Sequence, residues 1–459
     1  MEQITKPHCG ARLDRLPDCR WHSSMFAIVA FGLLVCWSNA VGGLILAQLK
    51  ALGWTDNSTT ATFSAITTAG MFLGALVGGI IGDKTGRRNA FILYEAIHIA
   101  SMVVGAFSPN MDFLIACRFV IGVGLGALLV TLFAGFTEYM PGRNRGTWSS
   151  RVSFIGNWSY PLCSLIAMGL TPLISAEWNW RVQLLIPAIL SLIATALAWR
   201  YFPESPRWLE SRGRYQEAEK VMRSIEEGVI RQTGKPLPPV VIADDGKAPQ
   251  AVPYSALLTG VLLKRVILGS CVLIAMNVVQ YTLINWLPTI FMTQGINLKD
   301  SIVLNTMSMF GAPFGIFIAM LVMDKIPRKT MGVGLLILIA VLGYIYSLQT
   351  SMLLITLIGF FLITFVYMYV CYASAVYVPE IWPTEAKLRG SGLANAVGRI
   401  SGIAAPYAVA VLLSSYGVTG VFILLGAVSI VVAIAIATIG IETKGVSVES
   451  LSIDAVANK

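Results

Sequence analysis

Twelve apolar segments, parted by short polar breaks, run through the chain. Their lengths predict helices over about 25–48, 60–82, 90–107, 112–136, 148–171 and 180–202. A second set is predicted over about 264–292, 301–323, 330–350, 352–378, 390–413 and 416–440. Between the sets, residues 203–260 break the rhythm. They are charged, and Lys235-Pro236-Leu237-Pro238-Pro239 cannot continue a helix, since proline lacks the N–H. Arg214 to Glu227 reads as an amphipathic surface helix. The expected organisation is a polar tail (1–23), a six-helix bundle (24–202), a linker (203–260), a second six-helix bundle (261–441) and a second tail (442–459). The fold class is an all-α membrane protein of two pseudo-symmetric halves.

The polar breaks themselves repeat. Asp83-Lys84-Thr85-Gly86-Arg87-Arg88 follows helix 2, and a weaker copy (Asp324, Lys325, Arg328, Lys329) follows helix 8, 241 residues later. Glu138, Pro141 and Arg145-Gly146 recur as Glu380, Pro383 and Lys387 at an offset of 242, followed by Ser149 and Gly156 as Ser391 and Gly398. Two landmarks at one spacing indicate an internal duplication, and parallel six-helix halves are a transporter architecture.

Composition agrees with a membrane protein: 56% hydrophobic, 12% charged, mean hydropathy +0.72. A soluble chain carries roughly 25% charge. The first apolar run, near Met25, is too long and too late for a cleaved leader and is read as the first span. A net charge of +9 suggests nucleic acid until its placement is seen. Lys84/Arg87/Arg88, Arg143/Arg145, Lys325/Arg328/Lys329 and Lys387/Arg389 occupy alternate loops, while loops such as Asp56-Asn57-Ser58 are nearly free of basic residues. That is a topology signal, which puts both termini in the cytoplasm and excludes a nucleic-acid partner. The seven cysteines have no metal or disulfide spacing, and neither a metal nor a cofactor is expected.

The loop Asp83 to Arg88 resembles the loop 2–3 signature of the major facilitator superfamily. Glu138-x-x-Pro141-x-x-x-Arg145-Gly146, Pro203-Glu204-Ser205-Pro206-Arg207-Trp208-Leu209 and Glu380-Ile381-Trp382-Pro383-Thr384 resemble its sugar-porter branch. The likeness covers nearly the whole chain, and extends to bacterial inner-membrane metabolite transport proteins of that branch. It implies a secondary transporter, proton as coupling ion, and a monomer in the lipid bilayer. It also implies that charges at the loop-rich end pair between the halves when the transporter faces outward, and separate when it faces inward. The gating residues would be Asp83, Arg87, Arg88, Glu138, Arg145, Asp324, Arg328, Glu380, Lys387, Glu204 and Arg207.

Charge inside a span is costly and points to function. Arg118 lies about six residues into helix 4, ahead of Gly122, Gly124 and Gly126. In the sugar symporters this chain resembles, that arginine faces an acid on helix 1. Here helix 1 has none, and Ser38 and Asn39 are the nearest polar residues. Arg399 lies about eight residues into helix 11, roughly 12 Å deep. Its partner at the 242-residue offset is Asn157, so the two are expected to face each other across a central cavity. An arginine there suits a carboxylate; snorkelling or bonding to carbonyls is the alternative. Glu95 and His98, at i and i+3 on helix 3, read either as a proton relay or as snorkelling or locally paired side chains about one turn inside the interface. Helix 7 has Ala275 and Met276 where hexose porters carry a glutamine pair, leaving Asn277, Gln280 and Tyr281 as polar candidates. Trp158 and Trp286 are candidate cavity walls or packing residues.

The expected function is alternating-access transport of a small polar metabolite across a bacterial inner membrane. A sugar acid or other organic carboxylate is favoured over a neutral sugar or polyol. A transporter-like sensor lacks a signalling segment in this pattern. No catalytic cluster supports an enzyme.

Overall fold

The computed structural model describes residues 7–17, 19–141, 145–240, 253–323, 325–383 and 386–444, with side chains at 134, 137, 145, 146 and 388 left aside. Asp324 and the side chain of Arg145 lie outside the described residues.

The first half comprises α1 (Cys9–Asp14), α2 (Arg20–Val35), α3 (Gly42–Ala51), α4 (Asn57–Thr85), α5 (Arg87–Ala106), α6 (Met111–Tyr139), α7 (Arg145–Asn157), α8 (Ser159–Leu170) and α9 (Ala176–Tyr201). The linker holds α10 (Pro206–Ser211), α11 (Tyr215–Thr233) and α12 (Tyr254–Leu257). The second half comprises α13 (Gly260–Thr293), α14 (Leu298–Met309), α15 (Gly311–Val322), α16 (Arg328–Ser347), α17 (Met352–Val370), a π-helical stretch (Cys371–Tyr377), α18 (Val378–Glu380) and α19 (Lys387–Ile439).

Nine of these helices, among the described residues, are long and apolar enough to cross a membrane. The twelve expected segments are all present. Three are interrupted (α2/α3, α7/α8 and α14/α15), and the last two are joined through Gly417, where φ of 65° turns the chain. The polar breaks do local work. Asp56 and Asn110 accept the N–H of Thr59 and Phe113, capping α4 and α6. At Gly86, φ of 99° falls in the left-handed region, which frees the sharp turn between α4 and α5.

Two expectations change. Helix 1, expected to be continuous over 25–48, breaks between Val35 and Gly42, where a carbonyl and a hydroxyl of Ser38 are held by side chains of neighbouring helices. Within the expected polar tail, Cys9–Asp14 is helical and α2 already begins at Arg20. The tail's α1 buries Cys9 and Leu13 against Met222, Ile225 and Val229 of α11, which recur at helical spacing.

Arg12 clamps this contact, pairing with Glu219 and, at 2.6 Å, with Glu226, which also meets Arg15 at 2.6 Å. Burial pushes the Glu226 carboxyl up, but bonds from Arg12 and Arg15 outweigh it and hold it below its ordinary 4.5. A depressed carboxylate stabilises fully above its unfolded value, and that stability is lost as pH falls through the folded one. Amide exchange in α1 is therefore expected to accelerate below about pH 4.5 beyond its intrinsic dependence, and in Arg12→Ala to be fast at neutral pH too. Unchanged exchange in Arg12→Ala would show that the apolar contact alone docks α1.

Candidate functional site

The repeated polar loops build two matching charged clusters. In the first half, Arg87 Nε donates to Glu138 at 2.9 Å and Arg87 Nη1 to Asp83 at 2.7 Å. Glu204 accepts the backbone N–H of Arg87, Arg88 and Ser205 at 2.7, 3.2 and 2.9 Å. In the second half, Arg328 meets both carboxylate oxygens of Glu380 at 3.0 and 3.1 Å. Glu442 accepts the backbone N–H of Arg328, Lys329 and Lys444 at 2.8, 3.1 and 3.1 Å. Each half thus places a glutamate on the orphan N–H groups, and the positive dipole end, of its third helix. A tyrosine hydroxyl steadies the residue before each: Tyr139 donates to Pro203 O and Tyr377 to Ile441 O.

Sequence reading named Glu204 only as a gating residue, by resemblance, and gave Glu442 no role. The available signal was the position of each glutamate just after the last helix of its half. Two other expected gate residues anchor neighbouring segments. Arg88 donates to Trp199 O at 2.6 Å, and Arg207 pairs with Asp14 at 2.9 Å. Lys387 stands exposed at the start of α19.

Among the described residues, no ion pair joins the two halves; Arg87 and Arg328 are each engaged by the glutamate of their own half. The halves meet elsewhere. Asn57 Nδ2 donates to Ser414 at 2.9 Å, and Asn305 Nδ2 to Ser164 at 3.2 Å. A Cβ on Gly43 of α3 would lie 2.9 Å from Asn285 O of α13. These contacts close the end remote from the basic loops. Among the described residues, the gate charges do not pair across the halves.

Between the halves lie the embedded polar residues. Asn277 reaches the backbone at Gly398, where a Cβ would stand 3.0 Å from its Nδ2. Tyr281 packs at Gly402 of the same helix. Half-buried Arg399 sits between these two contacts in sequence, and its Nη1 has no hydrogen-bond partner among the described residues. Gln280 and Tyr160 approach the Tyr367 hydroxyl from opposite halves. Asn157 is half-buried and bonds Ser153 O at 2.7 Å on its own helix. Among the described residues no hydrogen bond joins it to Arg399. The aromatic candidates divide from the polar ones. Trp158 is 36% exposed and stacks edge-on against Phe310, while Trp286 is fully buried among Ala61, Ile290, Val409 and Leu413.

Arg118 is 1% exposed. It donates to Ser38 O at 2.7 Å and Thr67 Oγ1 at 3.2 Å, and lies 4.6 Å over the Phe63 ring. Among the described residues no carboxylate pairs with it. Glu95 and His98 are both 0% exposed, which removes the reading of a pair snorkelling to the interface.

Twelve amphipathic or apolar segments in two duplicated halves, with a polar seam between them, define a membrane-embedded solute transporter rather than an enzyme. The chain belongs to the sugar (and other) transporter family, whose model matches residues 24–455. It is 44% identical over 455 residues to the inner membrane metabolite transport protein YdjE of Escherichia coli K12, covering 98% of this chain and 99% of that one. It is 26% identical to the niacin transporter NiaP of Acinetobacter baylyi, covering 96% and 99%. Among solved structures it matches the D-xylose-proton symporter with a TM-score of 0.72 at 18% identity, covering 93% and 99%. That match shows the fold.

Proposed function

We propose that this protein is a proton-coupled importer of a small organic carboxylate in a bacterial inner membrane. The observation that carries the reading is an excess of embedded cations. Arg118 and Arg399 lie within the bundle, and no carboxylate pairs with either among the described residues. A buried cation without an acid is costly unless a solute supplies the counter-charge. Arg399, with Asn277, Gln280 and Tyr281 nearby, offers forked donors for a carboxylate and hydroxyl-binding groups for the rest of the molecule. Niacin, named for one relative, is itself an aromatic carboxylate. With the basic loops cytoplasmic, the closed end is periplasmic, and the arrangement is inward-facing. Asp83, Arg87, Glu138, Arg328, Glu380, Glu204 and Glu442 then form the cytoplasmic gate. The six-helix domains on either side of the linker are the rocking units.

The test is uptake into proteoliposomes of labelled nicotinate, gluconate, xylose and myo-inositol, with an inward proton gradient. Carboxylate uptake is expected, and Arg399→Ala should weaken apparent affinity about ten- to a hundredfold, the worth of a hydrogen-bonded charge pair. Entry of xylose or inositol with no carboxylate uptake would make this a neutral-sugar porter. Carboxylate uptake unchanged in Arg399→Ala would move the site away from that arginine.

A further inference from the structure

We infer that Glu95 and His98 form the proton-binding site of this transporter, and that Ser38 and Arg118 couple its charge to the hinge in helix 1. The inference rests on the proton-coupled reading above and assigns the residues that perform the coupling.

The geometry is a line of four buried polar side chains from helix 3 through the break in helix 1 to helix 4. Glu95 Oε2 stands 3.6 Å from His98 Nδ1. His98 Nε2 lies 2.7 Å from Ser38 Oγ. The carbonyl of that same serine accepts from Arg118 Nη1 at 2.7 Å. All four side chains are at most 1% exposed. Neither Glu95 oxygen, nor His98 Nδ1, has a hydrogen-bond partner among the described residues. A carboxylate and an imidazole nitrogen left this way in a dry interior are costly. A proton shared between them answers both deficits.

The pair faces few other charges. Arg118 comes from α6, and the Cys36 thiol from the break in helix 1 lies within electrostatic range of Glu95. The packed face of α9 offers Ser191, which does not titrate in this range, and the packed face of α4 offers threonine, serine and glycine. The remaining charges of these helices are near their ends: Asp83 and Lys84 on α4, Asp112 and Glu138 on α6, Glu177, Arg181 and Arg200 on α9, with Arg87 and Arg88 opening α5.

Charge counting gives the coupling. Without the extra proton, Glu95 is −1, His98 neutral and Arg118 +1, and the cluster is neutral. With one proton on the pair, as carboxyl or as imidazolium, the cluster is +1. The positive end of the line is at the interface between the halves. A Cβ on Gly42 would lie 2.9 Å from Arg118 Nη2 and 3.3 Å from Asn285 Oδ1 of the second half. The protonated site therefore presents an uncompensated guanidinium beside the seam, which favours an anion there. Loss of the proton compensates it and favours release. Ser38 sits in the break between α2 and α3, and α3 packs on α13 at the closed end remote from the basic loops, so the same change bears on that closure. A carboxyl on helix 3 thus takes the place of an acid on helix 1.

The test is pH-dependent infrared difference spectroscopy of the full chain in phosphatidylcholine vesicles, between mildly acidic and alkaline pH. No solute is needed, so its failure is distinct from failure of the carboxylate reading. Acidification is expected to produce either a neutral-carboxyl carbonyl band or imidazolium ring bands. That signal should be lost in both Glu95→Gln and His98→Gln, kept at a new position in Glu95→Asp, and shifted in midpoint in Ser38→Ala. A wild-type signal that survives both Glu95→Gln and His98→Gln, or no wild-type signal at all, overturns the assignment. Normal titration with an unmoved midpoint in Ser38→Ala overturns the coupling through the hinge.

Discussion

Replacing Gly74 with leucine is expected to abolish folded protein. In α4, Gly70, Gly74 and Gly78 form a stripe one turn apart, and it meets Gly122 and Gly126 of α6 backbone to backbone. A Cβ on Gly74 would lie 2.8 Å from Val123 Cα, one on Gly78 2.6 Å from Ala127 Cα, and one on Gly126 2.7 Å from Met71 Cα. The obstructing atoms are main chain, which cannot rotate away. Such stripes let spanning helices approach closely where no hydrophobic force drives them together. Overpacking a core costs about 1–3 kcal/mol when side chains can adjust; here α4 and α6 must separate. That separation also withdraws Thr67 from Arg118. The matched control is Gly79→Leu, because a Cβ at Gly79 meets nothing within 4 Å. Size-exclusion profiles in mild detergent decide it. Gly74→Leu should aggregate or fail to express while Gly79→Leu elutes as wild type, and equal profiles for the two would contradict the packing argument.

Glu204→Ala is expected to be the most damaging single change in the charged clusters, with Glu442→Ala close behind. Each glutamate accepts three backbone N–H groups. Hydrogen bonds to a charged group contribute about 1.5–3 kcal/mol, and orphaning half-buried donors adds a desolvation cost, so about 2–4 kcal/mol is expected for each deletion. At Glu442, burial pushes the carboxyl up, but the N–H groups of Arg328, Lys329 and Lys444 outweigh it and hold it below the ordinary value. Its contribution is therefore present at neutral pH and fades in acid, as the pH falls through the lowered value. The checks are thermal unfolding, where the midpoint should fall by several degrees, and amide exchange at Arg87–Arg88 or Arg328–Lys329, which should become fast. The glutamine variants keep an acceptor oxygen and should recover part of the loss. Wild-type unfolding in both alanine variants would leave these carboxylates with no structural role.

The membrane fold was legible in the chain because a span is a local property. About 20 apolar residues must satisfy their own hydrogen bonds inside hydrocarbon, and a helix does so without reference to any neighbour. The duplication was legible because Asp83 to Arg88 and Glu138 keep their spacing when they recur. The gate glutamate of the second half was not, since Glu442 acts on N–H groups of Arg328 and Lys329, more than a hundred residues upstream. The same limit applied to Glu95. Distance from the end of a helix suggested an interfacial side chain, but exposure depends on which face the helix turns inward. Packing of α5 against α6 and α9 buried both Glu95 and His98 completely. Trp158 and Trp286 read as equivalent aromatics in the chain and parted only on packing, one to an edge-on contact with Phe310 and the other to an aliphatic cluster. Spans and their repeat are thus written in local pattern. The burial of individual charges, and the partner each one keeps, follow from three-dimensional packing, because a side chain's dielectric surroundings are made by residues distant in sequence.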